Sequence, residues 1–259
     1  MTDPIRLDIE GTLAIITLAR PEKLNALDEA MMAGLAAAAD RIDADGNLRA
    51  AILTGEGKGF CAGGDIAAWG SLSPLAMGQD WVRRGHRVFD ALTRLKVPLV
   101  AALNGHALGG GLELAATADI RVCERQAKIG LPETGIGMVP GWSGTQRLVT
   151  RFGARAVRRL ALTGEIVTAE TALGLGLVDE VVEKGEALTR ARALCAAIAQ
   201  RGPVANTIAK PLLNAAEGED AAATLEILAG SLVSWTDDLK EGVASFREKR
   251  SPVFKGRSA

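Results

Sequence analysis

Two glycine-rich stretches place small residues where the chain could do chemistry. They read GKGFCAGGDI (57–66) and NGHALGGGLELAATADI (104–120), and each follows a short apolar run. Glycine lowers helix stability by about 1 kcal/mol relative to alanine, so three glycines before a helical pattern indicate a tight turn or a close approach to the backbone. Two such turns could direct two N–H groups at one point, which is the design of an oxyanion hole. The alternative is a pair of tight turns without a chemical role.

Glu113 is the ionisable residue that immediately follows the second glycine run. Its neighbours Leu112, Leu114, Ala115 and Ala116 are apolar. The partial positive charge of a helix N-terminus would favour a carboxylate at this position. Glu113 is therefore a candidate functional residue, and an ordinary helix-start charge is the structural alternative.

Other catalytic motifs fit the sequence poorly. The spacing G-x-G-x-x-G of dinucleotide folds fails after Gly109 and Gly111 because Leu114 stands at the third position. Two histidines, His86 and His106, are too few for a zinc site, so no metal is expected. Cys61 as a nucleophile with His106 as its base is a weaker alternative, because buried cysteines are usually inert and no third orienting residue is evident.

The order of the elements predicts an α/β protein. Residues 6–10 and 13–19 form a predicted hairpin, and a helix is predicted from Asp28 to about Ile42. The apolar runs 48–55 and 97–105 are typical of buried strands, and a further strand is predicted near 119–123. Residues 66–90 fit a loop or a helix. From about residue 144 the pattern is helical, interrupted by a short strand that ends near residue 182.

Composition excludes several classes of protein. The chain has 259 residues, 48% of them hydrophobic, and a formal net charge of −1, so no global field favours nucleic acid or an anionic membrane. The first residues lack the pattern of a signal peptide, and no apolar run reaches the roughly 18 residues of a membrane span. Three cysteines without metal-ligand spacing fit a reducing compartment. We therefore expect a cytoplasmic protein.

Three segments resemble the signatures of the crotonase superfamily, which contains the enoyl-CoA hydratases and isomerases. These segments are FCAGGDI (60–66), NGHALGGGLELAATADI (104–120) and LPETGIGMVPGWSGTQRL (131–148), and the similarity extends from about residue 5 to the end. The resemblance implies a spiral of ββα turns over residues 1–195. It also implies a helical C-terminal region, 196–259, that builds trimers or dimers of trimers.

The resemblance implies an enoyl-CoA hydratase, which adds water across the α,β double bond of an acyl-CoA thioester in fatty acid metabolism. The amides of Gly64 and Gly110 would form the oxyanion hole around the thioester carbonyl. Glu113 would activate water and Glu133 would deliver a proton to Cα, although the division of these roles stays open. The amide of Gly141 would contact the catalytic water.

The CoA moiety belongs to the substrate in this family, so no separate cofactor is implied. The implied contacts to CoA are Lys23, Leu24, Ala26, Ala62, Gly64, Asp65 and Ile66, with Phe254 and Lys255 reaching it from a neighbouring subunit. The sequence Ala67-Ala68-Trp69 departs from relatives that carry lysine or glutamate there. Residues that could line the acyl pocket, or equally belong to an ordinary core, are Trp69, Met77, Trp81, Met138 and Trp142.

Two other functions are alternatives to hydration. An enoyl-CoA isomerase or another lyase of the superfamily is the first, but isomerases commonly lack the carboxylate that matches Glu113. RNA binding is the second, since some relatives bind RNA through a lysine-rich helix. The corresponding helix here, 28–46, is acidic and apolar, which disfavours RNA. The preferred acyl group and the pathway stay open.

Overall fold

A computed structural model describes residues 3–256 of the chain, and within them the strands lie in two sheets. In chain order the strands are β1 (Ile5–Glu10), β2 (Leu13–Leu18), β3 (Ala50–Gly55), β4 (Gly59–Cys61), β5 (Leu99–Leu103), β6 (His106–Leu108), β7 (Ile120–Glu124), β8 (Lys128–Gly130), β9 (Ile166–Thr168) and β10 (Glu180–Val182). The larger sheet has the order β1-β2-β3-β5-β7-β10, and the smaller one has the order β4-β6-β8-β9.

Helices follow most of the strand pairs. In chain order they are α1 (Glu29–Ala44), α2 (Ile66–Trp69), α3 (Pro74–Ala76), α4 (Arg83–Thr93), α5 (Gly110–Ala115), α6 (Arg147–Phe152), α7 (Ala154–Thr163), α8 (Ala169–Gly174), α9 (Ala187–Ala199), α10 (Pro203–Ala216), α11 (Ala221–Ser234) and α12 (Asp237–Glu248). Short 3₁₀ turns occupy Pro21–Lys23 and Pro132–Ile136, and a π-helical segment, Met77–Val82, leads into α4.

A ββα unit recurs along the chain. The pairs β3–β4, β5–β6 and β7–β8 each place their first strand in the larger sheet and their second strand in the smaller one. Neighbouring units are joined by parallel pairing in both sheets, for example β3 with β5 and β4 with β6. This repetition is the spiral that the resemblance implies, and the prediction of an α/β crotonase fold is confirmed.

The inner strands of the larger sheet, β2, β3, β5 and β7, are buried almost throughout, which explains their largely apolar sequences. Side chains of α1, including Met31 and Leu35, pack into the main core on one face. The other face carries Ile52 and Val100, which pack with Ala191 of α9. Asp28 begins α1 by accepting the N–H of Met31 at 2.9 Å, as expected for an aspartate at a helix start.

The predicted elements of the larger sheet are confirmed, whereas the strands of the smaller sheet were missed. The hairpin, α1, β3, β5, β7 and β10 lie close to their predicted positions, and residues 66–90 are mainly helical. The strands of the smaller sheet have three residues each. Three residues are too few to establish a period of two, and pairing with distant strands defines them.

The contacts divide the chain into two compact units, Met1–Thr207 and Ile208–Ala259. The first unit contains both sheets, and the second contains most of α10 together with α11 and α12. The division expected from the sequence, a spiral over residues 1–195 and a trimer-forming helical region over residues 196–259, stays a prediction. Within the described residues, none of the helices has the length and apolar character required to cross a membrane.

Candidate active site

A cavity of about 230 Å³ opens in the first unit where the glycine-rich stretches end. Its apolar wall includes three tryptophans, and its ionisable lining side chains are two glutamates. The lining residues are Ala62, Gly63, Gly64, Ile66, Trp69, Trp81, Val82, Gly109, Gly110, Glu113, Pro132, Glu133, Ile136, Met138, Val139, Gly141 and Trp142.

Parallel pairing of β4 with β6 brings the two glycine-rich stretches together. A Cβ atom added to Gly110 would lie 3.4 Å from the nitrogen of Gly64, and one added to Gly63 would lie 3.4 Å from the nitrogen of Gly110. Gly110 is the first residue of α5, so its N–H has no acceptor inside the helix. Among the backbone hydrogen bonds of the described residues, neither the Gly64 nor the Gly110 amide is a donor. Two amides that are donors in none of these hydrogen bonds therefore lie side by side at the cavity wall.

Glu113 is almost completely buried, with 2% of its surface exposed. Its Oε1 atom accepts the backbone N–H groups of Trp142 at 2.7 Å and of Gly144 at 2.6 Å. Burial is the main reason why the pKa of Glu113 is raised to about 8, and the nearby charge of Glu133 acts in the same direction. The two amides act in the opposite direction and lower the pKa. Because both protonation states are accessible near neutral pH, Glu113 is suited to proton transfer.

Glu133 reaches the same cavity from the 3₁₀ turn Pro132–Ile136. A Cβ atom on Gly109 would lie 2.9 Å from Oε1 of Glu133, so a side chain at that position would collide with the carboxylate. Oε2 of Glu133 is buried and makes no hydrogen bond within the described part of the chain. Burial also raises the pKa of Glu133. The structure thus places both predicted carboxylates at one cavity.

Gly141 lies in the cavity wall beside these carboxylates. Its amide acts on Glu113 in the same direction as those of Trp142 and Gly144, lowering the pKa of the carboxyl. Its placement next to Glu113 is compatible with the predicted contact to a catalytic water. That contact stays a prediction.

Residues predicted to contact CoA come from two loops that are hydrogen-bonded to each other. The Ala62 amide donates to the Leu24 carbonyl at 3.0 Å, and the Leu27 amide donates to the Gly63 carbonyl at 2.7 Å. Lys23 and Leu24 are exposed and Ala26 is half-buried beside them. Ala62, Gly64 and Ile66 line the cavity itself. These predicted contacts therefore lie near one another at one side of the cavity.

Asp65 has structural partners in addition to its predicted role. Its carboxylate forms an ion pair with Arg20 at 2.8 Å and accepts the N–H of Ala67 at the start of α2. Desolvation is the largest single influence on the pKa of Asp65 and acts to raise it. The hydrogen bonds from Arg20 and Ala67 outweigh it together with the charge of Arg20, so the pKa lies below its usual range. Asp65 thus links the two loops of the predicted CoA site.

Phe254 and Lys255 lie in the second unit, in the exposed segment that follows α12. The Lys255 amide donates to Asp238 at 2.8 Å, and Phe254 packs near Gly242. The cavity is lined by residues of the first unit. The predicted contact of Phe254 and Lys255 with CoA stays a prediction about a neighbouring subunit.

Three of the tryptophans converge at the cavity. A Cβ atom on Gly64 would lie 3.2 Å from Trp142, 3.2 Å from Trp69 and 3.3 Å from Trp81. Met138 also lines the cavity. Met77 packs against the core and is not among the lining residues.

Sequence reasoning missed the segment Trp142–Gly144 as the partner of Glu113. A Cβ atom on Gly144 would lie 2.5 Å from Oε1 of Glu113, so glycine is required there for the carboxylate to approach. Gly144 stands within the third resembling segment, but its partner is 31 positions away. The Cys61 alternative does not fit the structure, because burial raises the pKa of that thiol to about 12.

Comparisons with known proteins agree with this arrangement. The family model described as enoyl-CoA hydratase/isomerase matches residues 8–257. A short-chain-enoyl-CoA hydratase of Clostridium acetobutylicum is 36% identical, covering 97% of this chain and 97% of that protein. A crotonyl-CoA hydratase of Syntrophomonas wolfei is also 36% identical, over 96% of this chain and 97% of its own length. The crystal structure of an enoyl-CoA hydratase from Bacillus anthracis superposes with a TM-score of 0.81 at 33% identity, covering 98% of this chain and 100% of the other. The chain belongs to the enoyl-CoA hydratase/isomerase family and has its crotonase fold.

Proposed function

We propose that this protein is an enoyl-CoA hydratase that adds water across the α,β double bond of an acyl-CoA thioester. The observation that carries the proposal is the presence of two carboxylates, the buried Glu113 and the half-buried Glu133, in one cavity with the paired amides of Gly64 and Gly110. The names of the hydratases among its relatives support the same reaction class.

In this proposal the thioester carbonyl oxygen accepts the amides of Gly64 and Gly110. Negative charge develops on that oxygen when water adds to Cβ, and fixed donors at such a position are worth roughly 3–4 kcal/mol of the barrier. Glu113 takes one proton from the attacking water, so that the hydroxyl group bonds to Cβ. The electron pair of the double bond moves towards the carbonyl, and Glu133 supplies the proton that Cα receives.

The electrostatics of the pair favour one ionised and one protonated carboxyl group. Hydration needs one carboxylate ionised and the other protonated at the same time. Burial raises the pKa of both groups, and the charge of Glu133 raises that of Glu113. Two like charges in one buried site favour a state that holds a single proton. A single shared proton is also compatible with the reverse assignment, in which Glu133 activates the water and Glu113 protonates Cα.

The lining of the cavity also favours an uncharged acyl group. Apart from Glu113 and Glu133, the side chains that line the cavity within the described part of the chain are apolar or aromatic, and none of them is cationic. A second carboxylate on the acyl chain would lose its hydration and face two carboxylates without a compensating partner. We therefore propose a neutral acyl chain as the preferred substrate.

We further propose that the protein assembles as a homotrimer or a dimer of trimers. The second unit exposes large apolar side chains, including Leu232 at 72%, Trp235 at 78% and Phe246 at 85%. A surface of this kind is typical of an interface between proteins. Family resemblance supports the same assembly.

The proposed function is tested by measuring hydration of a panel of 2-enoyl-CoA thioesters. Glu113→Gln and Glu133→Gln should each lower kcat by roughly two to four orders of magnitude, the range for a positioned acid or base. The double variant should lose less than the product of the single losses, because the residues act as a unit. Glu186→Gln, at an exposed position of the first unit directly before α9, is the matched control.

Two outcomes would contradict the two-carboxylate mechanism. Near-native hydration by Glu113→Gln would show that this carboxylate does not activate water. Migration of a 3-enoyl double bond that depends on Glu133 and tolerates Glu113→Gln would identify an isomerase.

A further inference from the structure

One face of helix α4 holds the segment 142–147 at three points. Nδ1 of His86 lies 3.0 Å from Oγ of Ser143, within hydrogen-bond distance. One turn further along, Asp90 forms an ion pair with the buried Arg147 at 2.7 Å. The Trp142 ring packs directly on the helix backbone, since a Cβ atom on Gly85 would lie 2.1 Å from Nε1 of Trp142. The segment is thus fixed to α4 on both sides of Ser143.

Ser143 has an uncommon backbone conformation. Its φ is +79° and its surface is 3% exposed. Positive φ is rare for residues other than glycine and is unfavourable unless the surroundings maintain it. The amides on either side of Ser143, those of Trp142 and Gly144, both donate to Oε1 of Glu113. The conformation of Ser143 therefore directs the amides on both sides of it towards one oxygen of Glu113.

We propose that His86 is a positioning residue, which holds Ser143 in this conformation so that the Trp142 and Gly144 amides stay directed at Glu113. The inference rests on the proposed role of Glu113. His86 itself is half-buried on α4 and is not among the residues that line the cavity. It acts on the reaction through Ser143 and the two amides.

Loss of the His86–Ser143 contact has a definite electrostatic consequence. Without it, Ser143 relaxes towards a negative φ and at least one amide turns away from Glu113. These amides lower the pKa of the carboxyl, whereas burial and the charge of Glu133 raise it. The pKa of Glu113 then rises above about 8. A smaller fraction of Glu113 is ionised at a given pH, and its oxygen is less well placed for the water.

The test compares variants that remove the contact with variants that retain it. His86→Leu and Ser143→Ala should lower kcat about 10- to 100-fold, the range for a misplaced catalytic group, with KM little changed. The acid limb of the pH profile should move to higher pH. His86→Asn, whose amide can reach the same hydroxyl, should restore most of kcat. Arg87→Ala, at the next and exposed position of α4, is the control.

Ser143→Gly separates the backbone effect from loss of the hydroxyl. Glycine adopts positive φ without strain, so the two amides can stay on Glu113 even without the contact to His86. Ser143→Gly should therefore lose less activity than Ser143→Ala. If His86→Leu does not fold, the comparison of Ser143→Gly with Ser143→Ala still tests the proposal.

A titration without substrate keeps the inference separate from the proposed function. The ¹³C NMR signal of the Glu113 carboxyl, assigned with Glu113→Gln, should titrate at higher pH in His86→Leu and Ser143→Ala than in the parent protein. An inactive parent would refute the hydratase proposal and leave this comparison intact. Parent-like kcat and parent-like carboxyl titration in the folded His86→Leu and Ser143→Ala variants would overturn the positioning role.

Discussion

Replacing Glu113 by glutamine should raise the stability of the fold, by an amount that grows as the pH rises above about 4.5. In the unfolded chain Glu113 titrates near its usual pKa of 4.5, whereas burial raises the pKa in the folded protein to about 8. Below about pH 4.5 the carboxyl is neutral in both states and has no effect. Between the two values the unfolded state ionises first, so stability falls as pH rises. Above about pH 8 the loss is complete.

The size of the effect follows from the same pKa values. A rise from 4.5 to about 8 corresponds to at most about 5 kcal/mol in the free energy of unfolding. Glutamine stays neutral and can still accept the Trp142 and Gly144 amides through its carbonyl oxygen, so the variant avoids this loss. For a chain of this length, a gain of several kcal/mol corresponds to a melting temperature higher by on the order of 10 °C.

Chemical denaturation at a series of pH values measures this difference directly. The stability of Glu113→Gln relative to the parent should be near zero at about pH 4.5, increase up to about pH 8 and then become constant. Glu186→Gln should show no such trend, because that position is exposed. The reasoning is refuted if the Glu113→Gln difference is the same at both ends of the series. The same variant should be a poor hydratase, so stability and activity should change in opposite directions.

Lys23→Ala and Lys255→Ala should each weaken the binding of a CoA ester, measured by calorimetry, several-fold, as expected for solvated charge pairs of about 0.2–1 kcal/mol. The control is Lys184→Ala, at an exposed position. Unchanged affinity in both variants would exclude these CoA contacts. Gly110→Ala should reduce hydration about 100-fold, because the added Cβ would lie 2.7 Å from the Trp142 ring and the backbone amide must shift. Adding Trp142→Leu should recover part of that loss; no recovery would show that the collision is not the cause. Light scattering at micromolar concentration should show a trimer or hexamer, and a monomer alone would refute the proposed assembly.

Local sequence patterns predicted much of the fold. Alternating and continuous apolar runs define the hairpin and the buried strands β3 and β5, and Asp28 defines the start of α1. These features depend on neighbouring residues, and a single sequence therefore contains the information. The three-residue strands of the smaller sheet depend on partners far along the chain, such as β4 on β6. Their local sequence does not distinguish them from turns.

The candidate site shows the same division. The two glycine-rich stretches and Glu113 were identifiable from residue type and spacing, because glycine before a helix and a carboxylate among apolar residues are both unfavourable without a reason. The family resemblance added Glu133. The pairing of β4 with β6 is what brings the Gly64 and Gly110 amides to one wall of the cavity.

Only the tertiary structure decided how Glu113 is held. Its hydrogen-bond donors lie 29 and 31 positions away, on either side of a serine whose φ is +79°. A serine in the left-handed region is unfavourable by itself, and no local pattern predicts it. In the folded chain, His86 of α4 contacts this serine, and the amides of Trp142 and Gly144 donate to the buried carboxylate. Sequence alone thus determined which groups could react, and long-range packing determined their positions and their pKa values.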